Sequence, residues 1–310
     1  MTAPAPRPVA DAPPLTLLYV PADRPDRVGK ALASGADAVL VDLEDAVAPS
    51  AKDAARGHLA ALLGAGAPAT DDGADDGADD GAGAGARPAV QVRVNDASTP
   101  WHAADVAAVA ALPVAVGVRV PKVESADEVR ELAASLPGRA LHLLLETALG
   151  VERAYELASA SPQVASLGLG EADLRSDLRL DDESGLSWPR SRVVVAARAA
   201  GLPAPAMSAY THVRDLDGLA ASCRAGRALG FWGRTAIHPT QLATIRAAFA
   251  PGEAEVDRAR EVVRAVASAA DAGTGTVVLP DGTFLDVAMV ERARWTLALA
   301  DRAGGLSGRA

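Results

Sequence analysis

Short apolar runs alternate along this chain with longer Ala-, Leu- and Arg-rich stretches of helical spacing, and that alternation restricts the fold more than any other feature. The runs fall at 15–20, 38–43, 89–94, 114–120, 141–145, 164–169, weakly at 206–210, and at 235–237. Helical spacing fills the intervals at 24–33, 52–63, 103–111, 126–136, 150–160, 191–200 and 216–229, and follows the last run at 240–249. Strands that are apolar on both faces and separated by helices belong to parallel sheets buried between helical layers. Eight such units predict an α/β fold, a closed (β/α)8 TIM barrel, rather than an open sheet. Ser125 ahead of Glu128 has capping-box spacing, and Pro239–Thr240 suits the opening of the last barrel helix.

At about 150 residues per domain, 310 residues would make two domains, or one barrel of about 250 with an appendage. The expected division is a disordered N-terminus over 1–14, a barrel over 15–250 and a C-terminal arm or lid over 251–310. Within the barrel, residues 64–86 read GAGAPATDDGADDGADDGAGAGA, which lacks the apolar content to offset chain entropy and predicts a solvated linker. Its six Asp account for most of the formal charge of −10, so acidity is largely local to that insert. An EF-hand reading of the insert fails for want of a Glu at the twelfth place.

Composition excludes several function classes. No basic block and only 3% aromatic residues argue against a nucleic-acid surface. A single cysteine, Cys223, leaves no intrachain disulfide and fits a small buried helix residue in a reducing compartment. The N-terminus shows no signal-peptide core and no run reaches membrane-spanning length, so a cytoplasmic protein without membrane partners is expected. P-loop, zincin and serine-hydrolase motifs are all missing. His238, in AIHPTQ, reads as a structural histidine at a strand-to-helix turn.

Polar groups gather where the runs end, which is where a parallel barrel builds its active site. Asp42, Glu44 and Asp45 follow run two; Arg93 and Asn95 close run three; Arg119, Lys122 and Glu124 belong to run four; Glu146 closes run five; Glu171 and Asp173 follow run six. Such a mixture fits a hard cation held by one or two carboxylates, with Arg and Lys receiving an anionic substrate. Mg²⁺ suits best, with Glu146 and Asp173 as its ligands, each closing an apolar strand; the bland alternative for each acid is an ion pair or a helix cap.

These motifs are recognisable together. VPADRPDR (20–27), SGADAVLVDLEDAVAP (34–49), VRVND (92–96), VPKVES (120–125), LLETALGV (144–151), GEADL (170–174), RDLDGL (214–219), GRTAIHPTQ (233–241) and LPDGTFLD (279–286) resemble, in order, the citrate lyase β-subunit-like and malyl-CoA lyase group of CoA-ester lyases. The resemblance implies a (β/α)8 barrel binding Mg²⁺ through Glu146 and Asp173, with Arg93 on the carboxylate of the small acid and Arg24 on substrate or CoA. Glu44 and Asp45 are implied to support the catalytic group, and Asp286 of a C-terminal arm to serve as acid or base in a neighbouring subunit. A homotrimer or hexamer follows from that implication. The chain departs from the family pattern at Ala172, where many relatives carry Glu next to the metal Asp.

The implied reaction is Mg²⁺-dependent cleavage of a 3-hydroxyacyl-CoA of malyl or citramalyl type to a 2-oxo acid and a short acyl-CoA. Three alternatives stand beside it: a malyl-CoA-type thioesterase, a citrate lyase β subunit acting on a carrier-bound citryl thioester, and a non-catalytic barrel used as a binding module.

Overall fold

The computed structural model describes residues 13–64, 87–271, 277–279, 281–285 and 287–304. The N-terminal segment 1–12 and the Asp-rich stretch 65–86, for which disorder was expected, lie outside them.

Seven parallel strands form one sheet: β1 (Thr16–Pro21), β2 (Ala38–Asp42), β3 (Ala89–Arg93), β4 (Gly117–Val120), β5 (Leu141–Leu145), β6 (Val164–Leu169) and β7 (Arg234–Ala236). Their spatial order is β6-β5-β4-β3-β2-β1-β7, so each of the first six strands pairs with its neighbour in sequence and the last returns to β1. The seventh run, at 206–210, contributes less than expected. Only Met207 bridges Arg234, with Met207 N–H donating to Gly233 O and Thr235 N–H to Met207 O, both at 2.9 Å. Pro203 and Pro205 explain the shortness, because neither has an amide hydrogen to extend a ladder. The sheet nevertheless curls far enough for residues of β1, β3, β4, β5, β6, β7 and the Met207 stretch to line one cavity.

Side-chain alternation separates two environments. Leu18, Val20, Val39, Val41, Val92, Val118, Leu141, Leu143, Leu145, Leu167 and Leu169 point outward into the main core beneath the helices. Each such burial is worth about 1.5–3 kcal/mol relative to exposure. Inside the curl, Leu17, Ala38 and Leu40 make a separate small cluster against Tyr19 and Ala206. Above that apolar plug the inward residues become polar. Strand register sets Asp42 beside Arg93, Arg93 beside Arg119, Arg119 beside His142, and His142 beside Ser166.

The outer helices are α1 (Pro25–Leu32), α2 (Lys52–Leu63), α3 (His102–Ala110), α4 (Ala126–Ser135), α5 (Ala148–Glu152), α6 (Ala154–Ala158), α7 (Glu171–Asp177), α8 (Ser187–Ala199), α9 (Leu216–Ala228) and α10 (Gln241–Phe249). The single helix expected at 150–160 is two short ones that meet at Arg153, outside helical φ/ψ. Ser125 caps α4 by accepting from Asp127 N–H at 3.2 Å. Cys223 is buried in α9, as its small apolar character implies.

Beyond α10, α11 (Glu253–Asp271) and α12 (Val287–Gly304) pack as a helical hairpin around a two-stranded ribbon, β8 (Val277–Val278) and β9 (Phe284–Leu285). Ala259, Val262, Leu279, Leu285 and Ala293 give this unit a small core of its own. It meets the sheet domain through Leu299, fully buried in the main core, and through Trp295, whose ring stands edge-on to Trp232 at 5.1 Å. Among the described residues no helix is long and apolar enough to cross a membrane.

Candidate active site

The C-terminal ends of the strands enclose a cavity of about 150 Å³ whose lining includes Tyr19, Asp45, Arg93, Arg119, Glu146 and Asp173. Arg93 closes β3 and is its most heavily bonded member. Its Nε and Nη2 donate to the two oxygens of Asp42 at 2.7 and 2.6 Å, and its Nη1 lies 2.9 Å from Glu44 and 3.1 Å from Asp45. The guanidinium also rests over the Tyr19 ring at 5.0 Å. Such a bidentate pair fixes the plane of Arg93, leaving its position independent of any ligand. The β2–α2 turn carrying Glu44 is pinned in turn. Buried Lys52 donates to Leu43 O, Glu44 O and Asn95 Oδ1, each at 2.7 Å, while Asn95 donates to Asp105.

Glu146 follows β5 and is 3% exposed, its Oε2 accepting from Lys122 N–H at 3.0 Å. Lys122 takes a left-handed φ of 51° to point that amide inward, and its ammonium lies 3.9 Å from Glu44 and 3.8 Å from Asp173. Gly170 makes room for Glu146: a Cβ there would stand 2.0 Å from Oε1. Burial raises the Glu146 carboxyl to about 7, with Asp173 adding to the rise. Burial likewise pushes Glu44 up to about 8 against the pull of Arg93, and Asp45 and Glu146 reinforce it. Glu44 Oε2 is fully enclosed without a hydrogen bond of good alignment, although Arg93 stands close.

Five carboxylates, Asp42, Glu44, Asp45, Glu146 and Asp173, thus face three cationic side chains, Arg93, Arg119 and Lys122. The crowding of these carboxylates, which adds to the upward shift that burial gives Glu44 and Glu146, would be relieved by a divalent cation at this mouth. Among the described residues no cluster of three or more acids, His or Cys is close enough to cage a metal. That suits Mg²⁺, which is commonly held by one or two carboxylates with water and substrate completing its shell. Glu146 and Asp173 fit that role.

Other expected residues do not join this group: Glu171 lines the cavity but is already paired, and Arg24 and His238 lie outside it. Arg24 stands at the N-terminus of α1, 46% exposed by side chain and 3.6 Å from Asp26, outside the cavity lining. Asp286 lies outside the described residues. Glu171, two positions before Asp173, is closed in a bidentate pair with Arg190 at 2.7 and 2.8 Å. His238 is exposed and bonds only locally to Thr240, whereas the turn is held by buried Gln241, which accepts from Ile237 and His238 N–H and donates to Tyr210 O. Tyr19, Gln91 and His142 escaped the sequence reading. Their signal was an alternating polar position within otherwise apolar strands, visible in AVQVR and LHLLL.

A model of the HpcH/HpaI aldolase/citrate lyase family matches residues 15–74 and 78–239, which span every element lining the cavity. The chain belongs to the HpcH/HpaI aldolase/citrate lyase family. Within it, the chain is 35% identical to a (3S)-malyl-CoA thioesterase of Cereibacter sphaeroides over 92% of this chain and 94% of the relative. It is 36% identical to a citrate lyase subunit beta-like protein of Deinococcus radiodurans, over 93% and 99%. Its fold matches the CitE protein of Mycobacterium tuberculosis in complex with magnesium, acetoacetate and coenzyme A, at TM-score 0.72 and 31% identity, covering 94% of this chain and 99% of that one.

Proposed function

We propose that this member of the aldolase/citrate lyase family is a Mg²⁺-dependent carbon–carbon lyase. It would cleave a 3-hydroxyacyl-CoA of malyl or citramalyl type to a 2-oxo acid and a short acyl-CoA. The observation that carries this reading is the gathering of carboxylates at one cavity mouth, with buried Glu146 and half-exposed Asp173 on its wall and Arg93 rigidly presented beside them. Related proteins solved with magnesium and with acetoacetate, coenzyme A or oxaloacetate support it.

Mg²⁺ held by Glu146 and Asp173 would supply Lewis acidity toward the oxygen that becomes the 2-oxo group. The chain's own residues do the rest. Arg93 receives the carboxylate beside the hydroxyl carbon, and Asp42, Glu44 and Asp45 hold its guanidinium in place. Lys122 fixes Glu146 through its amide and offsets the charge of Glu44 and Asp173. Cleavage requires removal of the hydroxyl proton and delivery of a proton to the acyl-CoA enolate carbon; Asp286 of the arm is proposed for one of these transfers, from a neighbouring subunit of a homotrimer or hexamer. The full reading includes closure of the eight-unit barrel through the Met207 stretch, a cytoplasmic location, and Arg24 as a contact for substrate or CoA.

The similarity to malyl-CoA thioesterases favours hydrolysis as a second reading for the same substrate class. Assay of malyl-, citramalyl- and citryl-type thioesters with Mg²⁺, identifying both products, tests the two. A 2-oxo acid with the shorter acyl-CoA marks the lyase, and the free hydroxy acid with CoA marks the thioesterase. Turnover undiminished by a chelator or by Glu146→Ala overturns both.

A further inference from the structure

Three arginines of this chain are buried with no carboxylate oxygen within 4.0 Å among the described residues: Arg119, Arg139 and Arg234. Two of them are accounted for by protein. Arg139 donates to the carbonyls of Leu112, Pro113 and Val116. Arg234 donates to Ser222, touches the sulfurs of Met207 and Cys223, and lies over the Tyr210 ring at 5.4 Å. Neither lines the substrate cavity.

Arg119 differs in what it faces. It points into the curl of the sheet, 5% exposed, in register between Arg93 and His142. Its Nε and Nη2 both donate to one neutral acceptor, Gln91 Oε1, at 3.0 and 2.8 Å, and the Tyr19 hydroxyl lies against it. The remaining Nη1 is on the side of Gly168, 3.7 Å from where a Cβ would be, and Gly168 and Arg119 together line the cavity. Glu146 acts on it through space without pairing with it. A buried guanidinium satisfied only by neutral groups lacks the counter-ion that normally offsets its desolvation, and a planar fork is suited to a carboxylate.

We propose that Arg119 is a specificity-determining residue that binds a second carboxylate on the 2-oxo acid half of the substrate, selecting dicarboxylic over monocarboxylic acid units. Within the lyase reading, on which this rests, Arg93 takes the carboxylate next to the reacting carbon and Arg119, its register partner on the neighbouring strand, the distal one. This keeps the lyase chemistry but amends its substrate: a citryl-type thioester, which releases a dicarboxylic 2-oxo acid, is preferred over the malyl and citramalyl types, which release glyoxylate and pyruvate.

Malate and lactate test this directly, since malate is lactate with a carboxylate in place of one methyl hydrogen and both are chemically stable. Calorimetric titration of the whole protein in Mg²⁺ is expected to show malate binding about 10–100-fold more tightly than lactate. Arg119→Met removes that advantage, lowering malate affinity far more than lactate affinity. Gln91→Glu gives Arg119 a permanent internal partner; it raises the melting temperature and also abolishes the preference for malate, an outcome a merely structural role for Arg119 does not produce. Equal affinity of the native chain for the two acids, or a malate preference that survives both substitutions, overturns the inference and leaves the lyase reading standing. Absence of binding by either acid with Mg²⁺ present removes the lyase reading and this inference together.

Discussion

Glu171 and Asp173 sit two residues apart at the end of the same strand, yet they belong to opposite kinds of site. Glu171 is locked to Arg190, which also reaches Glu183, so its charge is spent within the protein. Asp173, with Glu146 and Glu44, belongs to a group of acids outnumbering its cations, and the buried members are pushed toward neutrality. The lesson is that charge density alone does not mark a functional acid; the absence of a closed partner does.

The largest effect is expected where the closed cluster is broken. Arg190→Leu strands Glu171 and should lower stability by about 3–5 kcal/mol, a fall in Tm on the order of 10 °C, while Mg²⁺ affinity changes little. Next comes the open cluster. With Mg²⁺ at about 100 times its Kd, the native chain should gain about 2.7 kcal/mol in thermal unfolding, and Glu146→Gln should lose that gain while being at least as stable as the native chain in chelator. A metal-induced shift retained by that variant would erase the contrast between the two clusters.

A smaller effect separates both from the neutral interior. Burial, reinforced by nearby Arg119, depresses His142 to about 3, so its imidazole is uncharged in the fold and bonds Ser166 at 2.8 Å. Because the unfolded chain takes up that proton near pH 6.5 and the folded chain does not, stability is full above pH 6.5 and declines as pH falls toward 3. Relative to His142→Gln, the native chain should lose about 1–2 kcal/mol between pH 7 and 5, measured by chemical denaturation. The smallest effect belongs to Lys122→Met. Its partly exposed ammonium pairs at nearly 4 Å, so stability should move by less than about 1 kcal/mol, whereas turnover should fall as the positions of Glu44 and Asp173 loosen.

Much of the strand framework was legible because burial on both faces writes continuous apolar runs; those at 141–145 and 164–169 match β5 and β6 end to end. The run at 206–210 carried too little of that signal, and with Pro203 and Pro205 just before it, it makes one bridge. Helix α7 went unread because it starts directly after β6, with no loop to separate the two patterns. At the site, Glu146, Asp173 and Arg93 were legible as polar residues closing apolar strands. What the linear chain hid was pairing. Nothing near Glu171 in sequence announces Arg190, nineteen positions on, and nothing near Arg119 announces Gln91, twenty-eight positions back.

Trp232 and Trp295 meet edge-on across the seam between the sheet domain and the helical hairpin, whereas Trp101 lies under the Lys52 ammonium and Trp188 is largely exposed. Two indoles held at 5.1 Å and a fixed angle couple optically, so this seam writes its own near-ultraviolet circular dichroism band. Undocking of the hairpin therefore has a spectroscopic signature that needs no added label, and Trp295→Phe supplies its blank.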